Sequence, residues 1–449
     1  MFSKKLTNEK IKEIQDAAIE VSDCHEAWTI LNPLIEAQDS NDVAAEALID
    51  VISKAHLTIE QSLDLLSNIY DAHKDTDNMV ILLGGAMEAG RDLDYLNDAP
   101  PEHPLFSEII KRLSEMAMTT QDREKEALII EGLSCTVRLM GRQYDSLAEK
   151  SYTRLVELLP VTPWAHYNQG LFFKTRGRFA EGVEANLKAL EIADEPSDSY
   201  QWNLGICATG AGQGEVALKI WKDIGQNIEM GRFDLPEGGY PSCKVRLAER
   251  PLSERDADND DPGLEETIWV ERLSPCHGII RSVLYEDLGV DYGDVILFDG
   301  APITYHKYGD TQIAVFPHLA TIKKNNYQLF DFAGTQASGG ELDDIIGQLE
   351  KDAVIYSHTE NFSVLCSTCW RNEEIDHEHK EREEKFVVTG RIAIPLDIKP
   401  ETILENIDNA LEGTPENRVF SPDLCRAAGF EDRARIEERR YNLLCATVE

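Results

Sequence analysis

Basic residues are scarce in this sequence. It has 44 lysines and arginines against 82 aspartates and glutamates, and its formal net charge is −38. A chain this acidic repels phosphate backbones and anionic membrane surfaces, which argues against a nucleic acid or a membrane as its partner. The composition therefore disfavours two classes of partner without identifying another. The charge suits a basic partner, although solubility in a crowded cytosol also explains it.

Long apolar runs are lacking too. No stretch approaches the ~18 apolar residues that a membrane-spanning helix needs. The first residues include Lys4, Lys5 and Glu9 and have no apolar core of the kind found in a secretory signal. The nine cysteines are scattered apart from one CxxC, which is typical of free thiols in a reducing compartment. We therefore expect a cytoplasmic protein.

The common signatures of enzymes are missing as well. The sequence has no Walker loop and no GxGxxG, GxSxG or HExxH motif. Residues 333–340 are rich in glycine and precede a predicted helix, but they contain no lysine to hold a phosphate. We interpret them as a connection, with anion binding at the helix N-terminus as the lesser alternative.

The most informative stretch is residues 164–221, which repeats itself after 35 positions. The matching pairs are Tyr167 and Trp202, Asn168 and Asn203, Gly170 and Gly205, and Gly177 and Gly212. A glycine inside a helix costs about 1 kcal/mol relative to alanine, so its recurrence indicates that helices approach each other closely there. We infer a unit of helix, short turn and helix, which must stack on its neighbours to bury its apolar side.

The order of aromatic, small and apolar positions in this unit resembles the tetratricopeptide repeat (TPR) family. The residues that carry the resemblance include Tyr167, Asn168, Gly170, Phe173, Gly177, Phe179, Trp202, Asn203, Gly205, Ala208, Gly212 and Ala217. Asn186 departs from the pattern, because the family usually has a large aromatic residue at that position. The step of 35 residues is also longer than the family's ~34. With a less regular third copy, the resemblance covers about residues 127–228.

The resemblance implies a function as well as a fold. In the TPR family, stacked helix pairs form a concave groove that binds peptides or partner helices, and the first helix of each pair lines it. The residues predicted to contact a partner are Asn168, Lys174, Arg176, Trp202 and Asn203. The family often uses the asparagines to hold a peptide backbone, although they could simply be solvated. For Tyr167 and Trp202, packing between repeats is the favoured interpretation.

The pattern of apolar residues divides the chain into three regions. Residues 1–126 have helical periodicity without a strict repeat and predict an irregular α-helical array. Residues 127–235 are the TPR-like repeats, and prolines and glycines at 234–241 mark their end. Residues 236–449 predict a mixed α+β domain. The predicted fold class is thus an α+β multidomain protein: an all-α helical-repeat solenoid, then a domain with a largely antiparallel sheet.

Within the C-terminal region, the alternation of apolar residues predicts several strands. Residues 279–285, 295–298, 303–308 and 312–316 predict a small antiparallel sheet or open barrel, which residues 327–332 continue. Helices are predicted at 340–350, from Pro400, at 421–428 and at 431–444.

The acidic segment 256–263 is similar to a calcium-binding loop. The match fails because the loop needs glycine where Asp261 stands and glutamate where Thr267 stands. We interpret the segment as a solvated acidic linker or the tip of a hairpin.

Two functions remain open from the sequence. The first is a cytoplasmic adaptor or scaffold whose helical array binds a partner protein. The second is an enzyme with a hydrolytic or transfer site in the C-terminal region, built from Cys276, His277, His306, His318 and His358. Neighbouring residues on a strand point to opposite faces, so Cys276 and His277 do not form a dyad by adjacency, and a buried structural cysteine is favoured. An enzyme is the less favoured of the two functions.

The last chemical signal is a predicted zinc site formed by Cys366, Cys369, His377 and His379. A CxxC places two thiolates on one turn, and two histidines two positions apart point to the same side of an extended segment. Four such ligands would close a tetrahedral structural site. The spacing is not that of an ordinary zinc finger, and a disordered hairpin loop with two free thiols is the alternative.

Overall fold

A computed structural model describes most of the chain. The described residues are 6–52, 54–73, 104–195, 197–308, 311–346, 348–350, 353–358 and 386–448. Within these ranges the fold is α+β: helices fill the N-terminal part, and mainly antiparallel sheets dominate the C-terminal part. The coarse fold-class prediction is confirmed. None of the helices in these ranges combines the length and apolar character needed to cross a membrane.

By its contacts the chain divides into two compact units. One comprises Met1–Cys207 together with Glu254–Asp261, and the other comprises Ala208–Ser253 together with Pro262–Glu449. The sequence places its main boundary later, between residues 235 and 236. It also gives no sign that a short acidic segment groups with the helical region.

Paired helices build the first unit. They are α1 (Asn8–Glu20), α2 (Cys24–Ala37), α3 (Asp42–Ile52), α4 (Ile59–His73), α5 (Pro104–Thr119), α6 (Arg123–Leu139), α7 (Asp145–Leu158), α8 (Pro163–Thr175) and α9 (Phe179–Ile192), followed by α10 (Asp198–Gly210), which crosses the boundary. Helix α1 packs on α2, α6 on α7, and α8 on α9, while α6 also contacts α8. One continuous apolar core runs from Ile11 to Ala185.

Local signals set the ends of these helices. Thr58 and Gln61 form a capping box, in which the backbone N–H of each residue donates to the side chain of the other, at 3.1 and 3.2 Å. A proline inside a helix usually breaks or kinks it, but α2 continues through Pro33. Leu31 and Leu34 are both fully buried, and their packing offsets the hydrogen bond that proline cannot donate.

The predicted 35-residue repeat appears as repeated local structure. Gly177 and Gly212 have φ angles of 69° and 68°, in the left-handed region that glycine tolerates best. The backbone N–H of Arg178 donates to the carbonyl of Phe173 at 2.9 Å. The equivalent bond in the next copy, from Gln213 to Ala208, measures 2.8 Å. The helix–turn–helix unit is therefore present twice with the same turn.

A closed barrel forms the first part of the second unit. This part of the unit contains α11 (Gly214–Asp223), β1 (Ile228–Met230), β2 (Pro236–Gly238), β3 (Cys243–Ala248), β4 (Glu265–Arg272), β5 (His277–Ile280), β6 (Val295–Phe298), β7 (Thr304–Tyr308) and β8 (Thr311–Lys323), and five of these strands form the barrel. Strands β3, β4, β5, β6 and β8 pair in that order, and β8 returns to β3 in parallel. The ring is thus closed by five strands, whereas the sequence predicts an open one. The long β8 makes closure possible, because it pairs with β6 and β7 along one edge and with β3 along the other.

A second sheet completes this unit. Its elements are β9 (Gln328–Thr335), α12 (Glu341–Ile346), β10 (Gln348–Glu350), β11 (Ala353–Ser357), β12 (Val387–Ile394), α13 (Pro400–Ala410), β13 (Arg418–Phe420), α14 (Pro422–Ala427) and α15 (Glu431–Val448). The strand order is β10, β11, β12, β9 and β13, antiparallel throughout. Two predictions are corrected here. Residues 327–332 do not continue the barrel but enter this sheet as β9, and the predicted helix 340–350 ends at Ile346, before β10.

Gly390 lies where β12 passes between β9 and β11. A Cβ atom there would overlap the carbonyl oxygen of Tyr356 and lie 2.8 Å from Cε1 of Phe332. Because the first of these atoms is backbone, the strands would have to separate, and we expect Gly390→Ala to lower the free energy of unfolding by about 1–2 kcal/mol. Chemical denaturation measures this loss. Gly239→Ala is the control, since among the described residues other than its two chain neighbours no atom lies within 4 Å of its Cβ position. An equal loss in both variants would contradict the close approach at Gly390.

Candidate functional site

The turn between α6 and α7 carries a buried arginine. Gly141 ends the preceding helix with a φ angle of 109°, which turns the chain and places Arg142 in a short 3₁₀ turn before α7. The Arg142 side chain is only 4% exposed. A guanidinium so far from water needs an anionic partner nearby.

That partner comes from the acidic segment 254–261. The backbone N–H of Arg142 donates to Oδ2 of Asp260 at 2.6 Å, and its Nε lies 3.4 Å from Oδ1 of the same carboxylate. The two residues are 118 positions apart in the chain. Burial and the nearby Arg176 lower the pKa of Arg142 to about 10, while Asp145 and Asp260 oppose the shift. The side chain therefore stays charged at neutral pH, and the carboxylate of Asp260 compensates it.

The acidic segment is thus more than a solvated linker. Asp256 accepts backbone N–H bonds from Asp258 and Asn259, at 2.9 and 3.0 Å, which fixes a tight local turn. Beyond that turn, Asp260 reaches the arginine. We call Arg142, together with the neighbouring Asp145 and Arg176, the Arg142 site.

Arg176, predicted to contact a partner, is used inside this site. Its Nε and Nη2 donate to Oδ1 of Asp145 at 2.9 and 2.7 Å, and Nη2 also donates to the carbonyl of Arg138 at 3.0 Å. The guanidinium lies 5.0 Å from the centre of the Phe172 ring. Arg176 therefore joins the end of α8 to the last turn of α6 and the first residue of α7.

Asn203, predicted to hold a peptide backbone, is only 3% exposed and lies between helices. Its Nδ2 donates to Oδ1 of Asn186 at 3.0 Å, and Asn186 in turn donates to the carbonyl of Gly182 at 2.6 Å. A Cβ atom on Gly170 would overlap the Asn186 amide. The asparagine that replaces the family's aromatic residue thus joins α9 to α10, and this chain uses Asn203 for packing.

The other predicted partner-binding residues lie nearer the surface or in the core. Lys174 is buried, whereas Asn168 and Trp202 are half-buried. The ring of Tyr167 lies 4.8 Å from that of Tyr200, which agrees with its interpretation as a packing residue. The structure therefore does not gather the five predicted residues on one open surface.

Cys276 and His277 both contact Ser274. Its Oγ lies 3.8 Å from Sγ of Cys276 and 2.5 Å from Nδ1 of His277, and it accepts both of their backbone N–H groups. Cys276 is fully buried, and burial raises the pKa of its thiol to about 11. Little thiolate exists at neutral pH, so this sulfur is a structural group rather than a nucleophile.

The remaining histidines of the enzyme hypothesis have separate surroundings. Nδ1 of His306 lies 3.3 Å from Nζ of Lys244. Nε2 of His358 lies 2.9 Å from the carbonyl of Val283. His318 is buried and stands opposite Phe298 in the pairing of β6 with β8. Each of these histidines thus has different neighbours, and these contacts do not join them in one catalytic site.

The zinc prediction is corrected. Among the residues that the structure describes, no group of three or more histidine, cysteine, aspartate or glutamate side chains could hold a metal ion. The four predicted ligands, Cys366, Cys369, His377 and His379, lie outside the described residues. Zinc therefore has no structural support, and we withdraw it as a cofactor of this chain.

The pairing of Arg142 with Asp260 has no local sequence signal, because 118 residues separate the two. The only hint is that a glycine, Gly141, precedes the arginine at a predicted turn. No protein-family model matches this chain, and no curated protein is significantly similar to it. The residues of the site are therefore the only guide to its chemistry.

Proposed function

We propose that this protein is an adaptor whose TPR-like helical repeats bind an acidic segment of a partner protein at the Arg142 site. The observation that carries the proposal is the ion pair between the buried Arg142 and Asp260 of the chain's own acidic segment. This contact shows the kind of ligand that we propose for the site. It is a carboxylate that accepts a hydrogen bond from the backbone N–H of Arg142 and forms an ion pair with its guanidinium.

The repeated turns at Gly177 and Gly212 support the TPR-like part of the proposal. In repeat proteins of this kind, stacked helix pairs form a solenoid with an extended binding surface. The packing of α6 on α7, of α8 on α9 and of α6 on α8 is compatible with such stacking.

Local charge favours an acidic partner at this site. The net charge of −38 suits a basic partner for the chain as a whole. At the Arg142 site, however, the guanidinium is buried and faces the carboxylate of Asp260, a position in which a cationic group would be repelled. The partner segment that we propose is therefore short, acidic and able to place one carboxylate on Arg142.

A competition experiment tests this function. A labelled synthetic peptide with the sequence of residues 253–263 is titrated with the full-length chain, and binding is followed by fluorescence anisotropy. In wild type the chain's own segment occupies the site, so binding should be weak. In Asp260→Ala that segment is weakened, and we expect affinity for the peptide to rise about tenfold or more.

The control keeps the weakened segment but removes the site. Asp260→Ala combined with Arg142→Met should lose peptide binding, and a peptide with asparagine at the position of Asp260 should bind poorly to Asp260→Ala. If Asp260→Ala does not bind the peptide, or binds it equally well without Arg142, the Arg142 site is not a peptide-binding site.

A further inference from the structure

The acidic segment 254–261 has a defined shape around one carboxylate. Oδ1 of Asp256 accepts the backbone N–H groups of Asp258 and Asn259, at 2.9 and 3.0 Å. The backbone N–H of Asp256 in turn donates to the carbonyl of Asn259 at 3.4 Å. An aspartate that binds the backbone two positions later forms an Asx turn. The turn ends immediately before Asp260, the residue that pairs with Arg142.

Asp256 and Asp260 have different roles in this segment. The side chain of Asp256 is exposed, and among the described residues its carboxylate accepts hydrogen bonds only from the backbone of the segment itself. Asp260, four positions later, accepts the backbone N–H of Arg142 and faces its guanidinium. Asp260 is therefore the residue that is bound, and Asp256 fixes the backbone that presents it.

The flanking backbone brings the two ends of the segment together. The backbone N–H of Glu249 donates to the carbonyl of Leu264 at 2.8 Å, and that of Arg250 donates to the carbonyl of Pro262 at 2.9 Å. These bonds continue the antiparallel pairing of β3 with β4. The segment is therefore the tip of a hairpin, and its shape is set by bonds within the hairpin.

A preformed shape matters because binding at Arg142 depends on the placement of one carboxylate. Arg142 gives Asp260 one backbone hydrogen bond and one ion pair. Ordering one residue of a flexible chain costs free energy of the same order as one hydrogen bond gains. A flexible peptide that orders several residues to place a carboxylate thus loses much of this gain. A preformed turn does not, because it has already lost that freedom.

We propose that the Arg142 site recognises an acidic turn, in which a first aspartate fixes the backbone and a second, four positions later, binds Arg142. The inference rests on the proposed function and specifies its partner: a surface loop of a folded protein rather than a flexible or helical peptide. Asparagine can replace the first aspartate, because its side-chain oxygen also accepts in an Asx turn. It cannot replace the second, whose charge compensates the buried guanidinium.

Calorimetric titration of full-length Asp260→Ala with synthetic peptides of residues 249–264 tests the first aspartate. This variant is used because its own segment is weakened as a ligand. A peptide with Asp256→Ala should bind about tenfold more weakly than the unchanged peptide, because its turn is no longer fixed. A peptide with Asp256→Asn should bind like the unchanged one. The matched control is Asp258→Ala in the peptide, which removes the same charge but keeps the backbone N–H that Asp258 donates to the turn.

A cyclic peptide tests the role of shape directly. Residues 249–264 are joined head to tail through two glycines, so that Glu249 and Leu264 keep their backbone hydrogen bond across a β-turn. Because the ring is preorganised, we expect it to bind Asp260→Ala about tenfold more tightly than the linear peptide. The ring should also restore most of the affinity that Asp256→Ala removes from the linear peptide.

The outcomes separate the acidic turn from the proposed function. If the unchanged linear peptide binds through Asp260, but Asp256→Ala binds equally well and the ring binds no more tightly, the function stands and the acidic turn is wrong. An equal loss in the Asp256→Ala and Asp258→Ala peptides would show an effect of general charge and would also overturn the turn. If neither the linear nor the cyclic peptide binds, both proposals are overturned.

Discussion

Replacing Asp260 with alanine is expected to lower the free energy of unfolding by roughly 2–3 kcal/mol. The variant loses the bond from the backbone N–H of Arg142, at 2.6 Å, and the anion that faces its guanidinium. Removing one member of a buried ion pair costs about 3–5 kcal/mol, because the other charge stays buried. The side chain of Asp260 is 30% exposed, so water screens the pair, and we expect a value below that range.

Hydrogen exchange measures this effect locally, which matters because a chain of two units need not unfold in one step. In Asp260→Ala the amide of Arg142 loses its acceptor and should exchange faster. Asp258→Ala is the control, because Asp258 is exposed in the same segment. Arg142→Met combined with Asp260→Ala should recover part of the lost stability, since the double variant no longer buries a guanidinium. Equal exchange in the Asp260 and Asp258 variants would show that the ion pair adds no stability.

The sequence predicts those features of the fold that depend on neighbouring residues. The capping box of Thr58 and Gln61 forms within four positions, and the turns at Gly177 and Gly212 need only a residue that tolerates a positive φ angle. The strand at 295–298 is an apolar run fully buried in the structure. In each case the physical cause lies within a few residues of the effect, so a local pattern reveals it.

Features that depend on distant residues are not predicted. Closure of the barrel depends on the parallel pairing of residues 244–246 on β3 with residues 315–317 on β8, some 70 positions further along the chain. Asn203 can be buried because its amide donates to Asn186, and Asp260 is held in place because it accepts the backbone N–H of Arg142. Polar side chains at such positions have the same local signature whether they bind a partner, face solvent or hold the fold together. This is why the sequence identifies a repeat but not which of its polar residues are free.

The second large effect concerns pH and is expected at His277, which is fully buried at the start of β5. Burial is the main cause that lowers the pKa of His277 from 6.5 to about 4; Arg232 lowers it further, and Glu237 raises it. The unfolded chain therefore binds a proton between about pH 6.5 and pH 4, where the folded chain does not. Stability follows the excess of protons bound by the unfolded state, so it falls as the pH is lowered through this window. The shift corresponds to about 3 kcal/mol, fully present above pH 6.5 and lost by about pH 4.

Chemical denaturation at a series of pH values isolates this contribution by comparison with His277→Asn. The amide of asparagine can take the place of Nδ1 of His277, which lies 2.5 Å from Oγ of Ser274, but the side chain does not titrate. We therefore expect the variant to lose less stability than wild type between pH 6.5 and pH 4, by up to about 3 kcal/mol. His25→Asn, which replaces an exposed histidine in the same way, is the control. If His277→Asn and wild type lose stability in parallel across this window, then His277 binds its proton equally in the folded and unfolded chains, and its burial does not lower the pKa.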